Sequence, residues 1–407
     1  MRSLFLTYDG LLSPLGQSQI LPYLRGLRRK GHQITVLSFE RSDDGLALAK
    51  LRRELASEKI DWKVLRYHKT PTIPATAFDV VSGIAAARAI IRRKDIQLLH
   101  ARSYVPMLMA LLAASGRKII FDMRGFWADE RIDGNLWTLN RVSHRLLYRT
   151  AKRLERVGLR RADHVVVLTG AAHRMLGDLV PAATALPPVT VIPTCVDLIR
   201  FHPATDKAAA RGELGLPDTR IFVYQGQVGT KYMFAEMAAF VARARLRWNN
   251  LLFLILAPAG HDLIRETCTA AGLAEGVNFR LEALPHGEVA RWVAAADAAL
   301  CFIRPAYSAL AACPTKFAEC LACGVPVAAN AGIGDLAEVL TENRVGPVLA
   351  ELTDAAYEHA LNELEALWSY PNISRRCRHA AETCFALSDA IASYDKIYKS
   401  LDAGKVL

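Results

Sequence analysis

Short apolar runs recur along this chain, separated by stretches whose apolar positions repeat every three or four residues. Leu251 to Leu256 is continuously apolar, and Ser3 to Thr7 nearly so. Such runs suit strands buried on both faces of a parallel sheet. In the first half the pattern predicts strands at Ser3 to Thr7, Ile34 to Phe39, Val64 to Tyr67, Gln97 to His100, Lys118 to Asp122, His164 to Leu168 and Val189 to Pro193. One helix is predicted from about Gln17 to Lys30, ending at Gly31. The second half repeats the logic at Ile221 to Gln225, Leu251 to Leu256, Val277 to Leu281, Ala298 to Ile303, Val325 to Ala329 and Pro347 to Leu349, with a helix from about Tyr232. Between the halves, Cys195-Val196-Asp197 and Phe201-His202-Pro203 form a polar segment without periodicity, which marks a domain boundary. Strands alternating with helices predict an α/β protein of two doubly wound domains with a cleft between them. Ligands in such sheets bind outside the carboxyl ends of the strands.

Composition adds limits. The chain has 407 residues, of which 52% are hydrophobic and 22% charged, the balance of a globular protein. No apolar run approaches the ~18 residues that span a bilayer, and Tyr104 to Ala114 is the nearest. The N-terminal stretch is too short and too polar at Asp9 for a signal peptide, so a cytoplasmic location is expected. All eight cysteines lie from Cys195 onward, and Cys320-x-x-Cys323 has no second pair at zinc-ribbon spacing. These read as reduced, buried thiols.

The net charge of +11 changes the picture most between Arg141 and Arg161. Arg141, Arg145, Arg149, Lys152, Arg153, Arg156, Arg160 and Arg161 alternate there with Leu146, Leu147, Leu154 and Val157. A basic amphipathic helix of this kind suits an anionic membrane surface, against the alternative of a solvated face paired with Glu155 and Asp163. No helix-turn-helix, zinc-finger or RNA-recognition signature accompanies the charge, so nucleic acid is not an expected partner.

Candidate chemistry concentrates in Pro314-Thr315-Lys316-Phe317-Ala318-Glu319-Cys320-Leu321-Ala322-Cys323-Gly324-Val325-Pro326. Pro314 opens a short helix and Gly324 closes it. Lys316 falls in the first turn, where a cation costs about 0.3–1 kcal/mol unless an anion joins it. Free helix N–H groups and a lysine bind phosphate. Glu319, one turn on, shares a face with Thr315 and Lys316. Phosphate donors beside a carboxylate suit a nucleoside diphosphate, whose ribose hydroxyls the carboxylate accepts. An ordinary surface pair of Lys316 and Glu319 is the plainer alternative.

The longer pattern, P-T-K-x-x-E-x-L-A-x-G-x-P-V followed by Gly332-Ile333-Gly334-Asp335, resembles the donor segment of family 4 glycosyltransferases. Val191-Ile192-Pro193-Thr194-Cys195-Val196-Asp197 is similar to that family's inter-domain segment, and Ser388 to Leu401 to its final helix. The resemblance implies the GT-B fold: an acceptor domain at 1–200, a nucleotide-sugar domain at 201–387, and a last helix at 388–407 crossing back. It implies sugar transfer from a nucleoside-diphosphate sugar, UDP rather than GDP, to a glycan or lipid-linked glycan. Retention at the anomeric carbon and independence of metal are implied too. No D-x-D pair is seen and no cofactor is expected.

Departures accompany it. The first of the family's two glutamates falls at Ala311, leaving Ser308 and Arg304 as polar substitutes. In Tyr224-Gln225-Gly226-Gln227-Val228-Gly229-Thr230-Lys231, Gln227 stands where the family has arginine, while Lys231, Gly226 and Gly229 keep the phosphate pattern. The strand that usually ends in a catalytic histidine ends here in Asp122-Met123-Arg124-Gly125, followed by Asp129, Glu130 and Arg131, a run resembling bacterial surface-polysaccharide transferases. The resemblance therefore implies Asp122, Arg124, Lys316 and Glu319 as catalytic candidates. Donor contacts fall to Gly226, Gly229, Lys231, Arg304, Ser308, Thr315, Lys316 and Glu319. Acceptor contacts fall to Gly16, Gln17, His100, Arg102, Asp129, Glu130 and Arg131. A transferase-like scaffold without turnover and a nucleotide-sugar epimerase remain as alternatives.

Overall fold

The computed structural model describes residues 1–41, 44–181, 185–229, 231–285 and 287–403. Two compact units divide the chain: Met1–Pro193 with Leu387–Leu407, and Thr194–Ala386. The first unit is built on a seven-stranded sheet: β1 (Arg2–Thr7), β2 (Gln33–Glu40), β3 (Asp61–Arg66), β4 (Leu98–Arg102), β5 (Lys118–Asp122), β6 (His164–Val167) and β7 (Val189–Val191). Their order is β3-β2-β1-β4-β5-β6-β7, all pairs parallel. The second carries β8 (Ile221–Gln225), β9 (Leu252–Leu256), β10 (Phe279–Glu282), β11 (Ala298–Cys301), β12 (Val327–Asn330) and β13 (Val348–Leu349) in the order β10-β9-β8-β11-β12-β13, again parallel. Each sheet reverses its strand order once, at β1/β4 and at β8/β11, and the carboxyl ends there open the ligand crevice of a doubly wound sheet.

Burial on both faces explains why these strands were visible as apolar runs. β8 (IFVYQ) and β9 (LFLIL) are buried at every position. Around them Phe222, Phe234, Phe240, Phe253 and Phe302 form one core with Leu361 and Leu364.

Three features differ from the expectations. The single helix over Gln17 to Lys30 is two, Pro14–Gln19 and Leu21–Arg29. Pro22 lacks the N–H a continuous helix needs, so Ile20 leaves helical geometry (φ −127°) and Pro22 sits in a new first turn. Second, Thr72–Lys94 is long and apolar enough, by length and composition, to cross a membrane. Asp79 and Ser82 interrupt its apolar run in the sequence. In the fold Ala75, Asp79, Gly83, Ala87 and Ile91 face inward at every fourth position. Third, residues 194–200 group with the second unit. Thr194 Oγ1 donates to the Cys313 carbonyl at 2.7 Å, and Arg378 donates to the carbonyls of Leu198 and Phe201. The final helix, Leu387–Ala403, belongs to the first unit and packs on Leu21–Arg29.

Candidate functional site

In the second unit the site forms where β8 and β11 part. β8 ends at Gln225, and the turn that follows needs glycine: Gly226 has φ +120°. A Cβ there would meet Lys316 Nζ, the movable end of a side chain, so the backbone angle is what calls for glycine. Gly229 has φ +88°, and Thr230 lies outside the described residues. The helix Thr315–Ala322 follows Pro314, which makes no side-chain capping hydrogen bond; the Pro314 carbonyl takes the Phe317 N–H at 3.1 Å, and the Thr315 and Lys316 amides precede it at the helix start.

Lys316 reaches back from that helix over two rings. Its Nζ lies 3.6 Å from the Tyr232 ring centroid, 4.7 Å from that of Tyr224 and 3.4 Å from the Tyr224 hydroxyl. Gln225 Nε2 donates to Glu319 Oε2 at 3.1 Å and to the Lys316 carbonyl at 3.3 Å. Burial lowers the Lys316 ammonium to about 8. Burial also raises the Glu319 carboxyl to about 7, against the charges of Lys316 and Arg200 and the Gln225 hydrogen bond. Among the described residues Lys316 makes no salt bridge, and a cation resting on aromatic faces can take an anion.

The other donor-side candidates fall around this pair. Thr315 is the first residue of the helix. Lys231 lies at the end of the glycine turn, and its carbonyl accepts from Arg304 N–H at 2.8 Å. Arg304 is exposed; Ser308 is buried in a 3-10 turn, Ser308–Ala311. Ala311, at the place of the family's first glutamate, is buried and brings no carboxylate. The sequence reading missed Tyr224, Tyr232, Gln225 and Asn330. Asn330 is buried at the end of β12 and bonds both the N–H and the carbonyl of Ile303 at 2.8 Å, fixing the loop after β11. A polar residue closing the run VAAN was the available signal.

In the first unit, strand register sets Thr7, Arg102 and Asp122 side by side at the carboxyl edge. Asp122 is buried; Tyr394 of the final helix donates to its Oδ2 at 3.1 Å, and His100 Nε2 stands 3.5 Å away. Arg124 lies 3.9 Å from the other oxygen, on a residue with φ +57°. Burial pushes this carboxyl up, but Arg124, His100 and Arg102 together hold it below its usual value. His100 is buried and shares a 3.0 Å hydrogen bond with Tyr398, also of the final helix. Arg102 is buried and donates to Asp9 Oδ2 at 2.7 Å.

The remaining acceptor candidates separate. Gly16 is buried against Leu11, and Gln17 donates to the Leu11 carbonyl at 2.9 Å. Asp129 is buried, accepting from Tyr148 at 2.8 Å and Lys152 at 2.9 Å. Lys152 in turn lies 2.5 Å from buried Glu155. Glu130 is half-buried in the helix Trp127–Asp133, and Arg131 lies 5.1 Å over the Trp127 ring. Thus Asp122, Arg124, His100 and Arg102 share one cluster, whereas Asp129 joins an internal network under the helix Val142–Arg161. Among the described residues no group of three or more His, Cys, Asp or Glu is placed to hold a metal.

Residues 19–200 match the model described as Glycosyltransferase Family 4. That match covers less than half of the chain's 407 residues. Curated relatives agree. A D-inositol 3-phosphate glycosyltransferase of Streptomyces avermitilis is 28% identical over 224 residues, covering 52% of this chain and 46% of that protein. D-inositol 3-phosphate glycosyltransferase 2 of Catenulispora acidiphila is 31% identical over 173 residues, or 40% and 39%. This chain spans less than half the length of either relative in these alignments. Solved structures extend the likeness to both units. Sucrose-phosphate synthase from Thermosynechococcus elongatus superposes with a TM-score of 0.75 at 16% identity over 99% of this chain and 100% of its own. HepE of Anabaena, in complex with UDP and glucose, gives 0.69 at 15% over 98% and 100%. At these identities the likeness is one of fold, and the fold is GT-B.

Proposed function

We propose that this protein is a glycosyltransferase that takes a sugar from a nucleoside-diphosphate sugar, with UDP as the nucleotide, and passes it to a glycan or lipid-linked glycan. The observation that carries the reading is the Lys316–Glu319 pair beside the Gly226 turn and an uncapped helix N-terminus. The diphosphate joins Lys316 Nζ beside the tyrosine rings, and Glu319 accepts from ribose hydroxyls. The solved HepE complex with UDP supports that class of donor. As the glycosidic bond breaks, negative charge grows on the leaving diphosphate. Lys316, Lys231 and the first helix amides stabilise it where water is scarce, which lowers the barrier. The anomeric configuration is retained, following the family. Asp122, held ionised by Arg124, His100 and Arg102, fixes the carboxyl edge of the acceptor unit.

The acceptor and the place of action are part of the same proposal. Val142–Arg161 exposes Arg145, Arg149, Arg153 and Arg156 together with Val142 and Leu146. Glu155 and Asp163 are engaged by Lys152 and Lys118 instead. Basic and apolar groups on one exposed helix suit the inner, anionic face of a cytoplasmic membrane, where a lipid-linked glycan resides.

Turnover tests the reading. Lys316→Ala and Glu319→Gln remove charge-assisted contacts worth about 1.5–3 kcal/mol each, so sugar transfer from a UDP-sugar falls roughly ten- to a hundredfold while thermal unfolding stays cooperative. Wild-type rates in both variants would remove the donor from this helix. Ala311 supports a second reading, a transferase-like subunit without chemistry, and it predicts UDP binding with no transfer to any supplied acceptor.

A further inference from the structure

A second cluster of directional groups stands at the carboxyl ends of β1 and β3, unused by the reading above. Asp79, fully buried on the inward face of Thr72–Lys94, accepts three hydrogen bonds. Tyr8 OH donates to its Oδ2 at 2.8 Å, the His68 backbone N–H to the same oxygen at 3.0 Å, and His68 Nδ1 lies 2.6 Å from Oδ1. The carboxylate fixes the imidazole proton on Nδ1. Nε2, on the far side of the ring, is then an acceptor, and no described residue bonds it. The His68 side chain is 39% exposed.

Aromatic rings stand beside the same cluster. Phe78 meets the His68 ring edge-on at 5.1 Å and is 61% exposed. Tyr67 packs on Tyr8 at 5.3 Å, and the Arg41 guanidinium lies 4.4 Å over the Tyr67 ring. A backbone staple accounts for the bond from Asp79 to the His68 N–H. It does not account for an oriented imidazole set half in water beside an exposed phenylalanine. Aromatic faces with a few fixed polar groups are the chemistry that holds a pyranose: ring C–H groups against the rings, hydroxyls on Nε2 and Arg41.

We propose that Tyr8, Arg41, Tyr67, His68 and Phe78, braced by Asp79, form a sugar-binding subsite for the acceptor glycan; this rests on the glycosyltransferase reading. Methyl glycosides of common hexoses serve as probes in saturation-transfer NMR, with UDP titrated in parallel. The wild type transfers saturation to at least one glycoside. Phe78→Ala and His68→Gln each weaken that glycoside at least tenfold and leave UDP affinity unchanged. Three results would overturn the subsite: no glycoside bound by the wild type, unchanged glycoside affinity in both variants, or joint loss of glycoside and UDP. Failure of UDP to bind the wild type would instead strike the glycosyltransferase reading, and the subsite with it.

Discussion

At neutral pH Lys316 and Glu319 both stand close to their midpoints, because burial lowers the one to about 8 and raises the other to about 7. Diphosphate needs the lysine charged, and ribose hydroxyls need the glutamate ionised. UDP affinity should therefore be greatest between these values, falling as pH rises through about 8 and as it drops through about 7. A bound diphosphate favours the ammonium, so binding near pH 8.5 should take up a proton. Calorimetric titrations in two buffers of different ionisation enthalpy read that uptake directly. Lys316→Arg stays charged and should flatten the alkaline limb. Equal UDP affinity across pH 6 to 9 in the wild type would break the link between burial of this pair and donor binding.

Strands were legible because a parallel sheet buries both faces and leaves unbroken apolar runs; Lys118–Asp122 and Ile221–Gln225 have the expected ends. The same property hid the direction of their polar residues. In β4 every position is buried, so nothing in the sequence says that His100 meets Tyr398 while Arg102 meets Asp9. The helix Thr315–Ala322 was legible from its proline, lysine, glutamate and glycine, which act within one turn or two. Its aromatic lining was not, because Tyr224 and Tyr232 reach Lys316 only through the fold. The Asp79–His68 contact spans a loop and leaves no periodic trace. Helix pairing is a further case. Gly26, on Leu21–Arg29, would place a Cβ 2.2 Å from Ile391 of the final helix. Ile391 is β-branched and buried, so Gly26→Ala should overpack this contact and cost about 1–3 kcal/mol in urea unfolding. Unchanged stability would mean that the two helices part freely, and that Tyr394 and Tyr398 are not firmly held against Asp122 and His100.

For the whole molecule, the excess of +11 and the exposed arginines of Val142–Arg161 lead to a surface prediction. Basic residues near an anionic bilayer contribute about 1 kcal/mol each, and salt screens them. Vesicles containing phosphatidylglycerol should carry the wild type on flotation at low salt and release it at high salt. Arg145→Glu, Arg149→Glu and Arg156→Glu combined should abolish flotation; equal flotation of the two proteins would leave the helix as a solvated face. The central claim, a nucleotide-sugar donor site on the second unit, is tested most directly by thermal unfolding with UDP, GDP, ADP and their sugars, on the wild type and Lys316→Ala. A nucleotide at 100 times its dissociation constant stabilises by about 2.7 kcal/mol. The site described here predicts such a rise for UDP and a UDP-sugar in the wild type, reduced in Lys316→Ala. No rise with any nucleotide, or the same rise in both proteins, would contradict it.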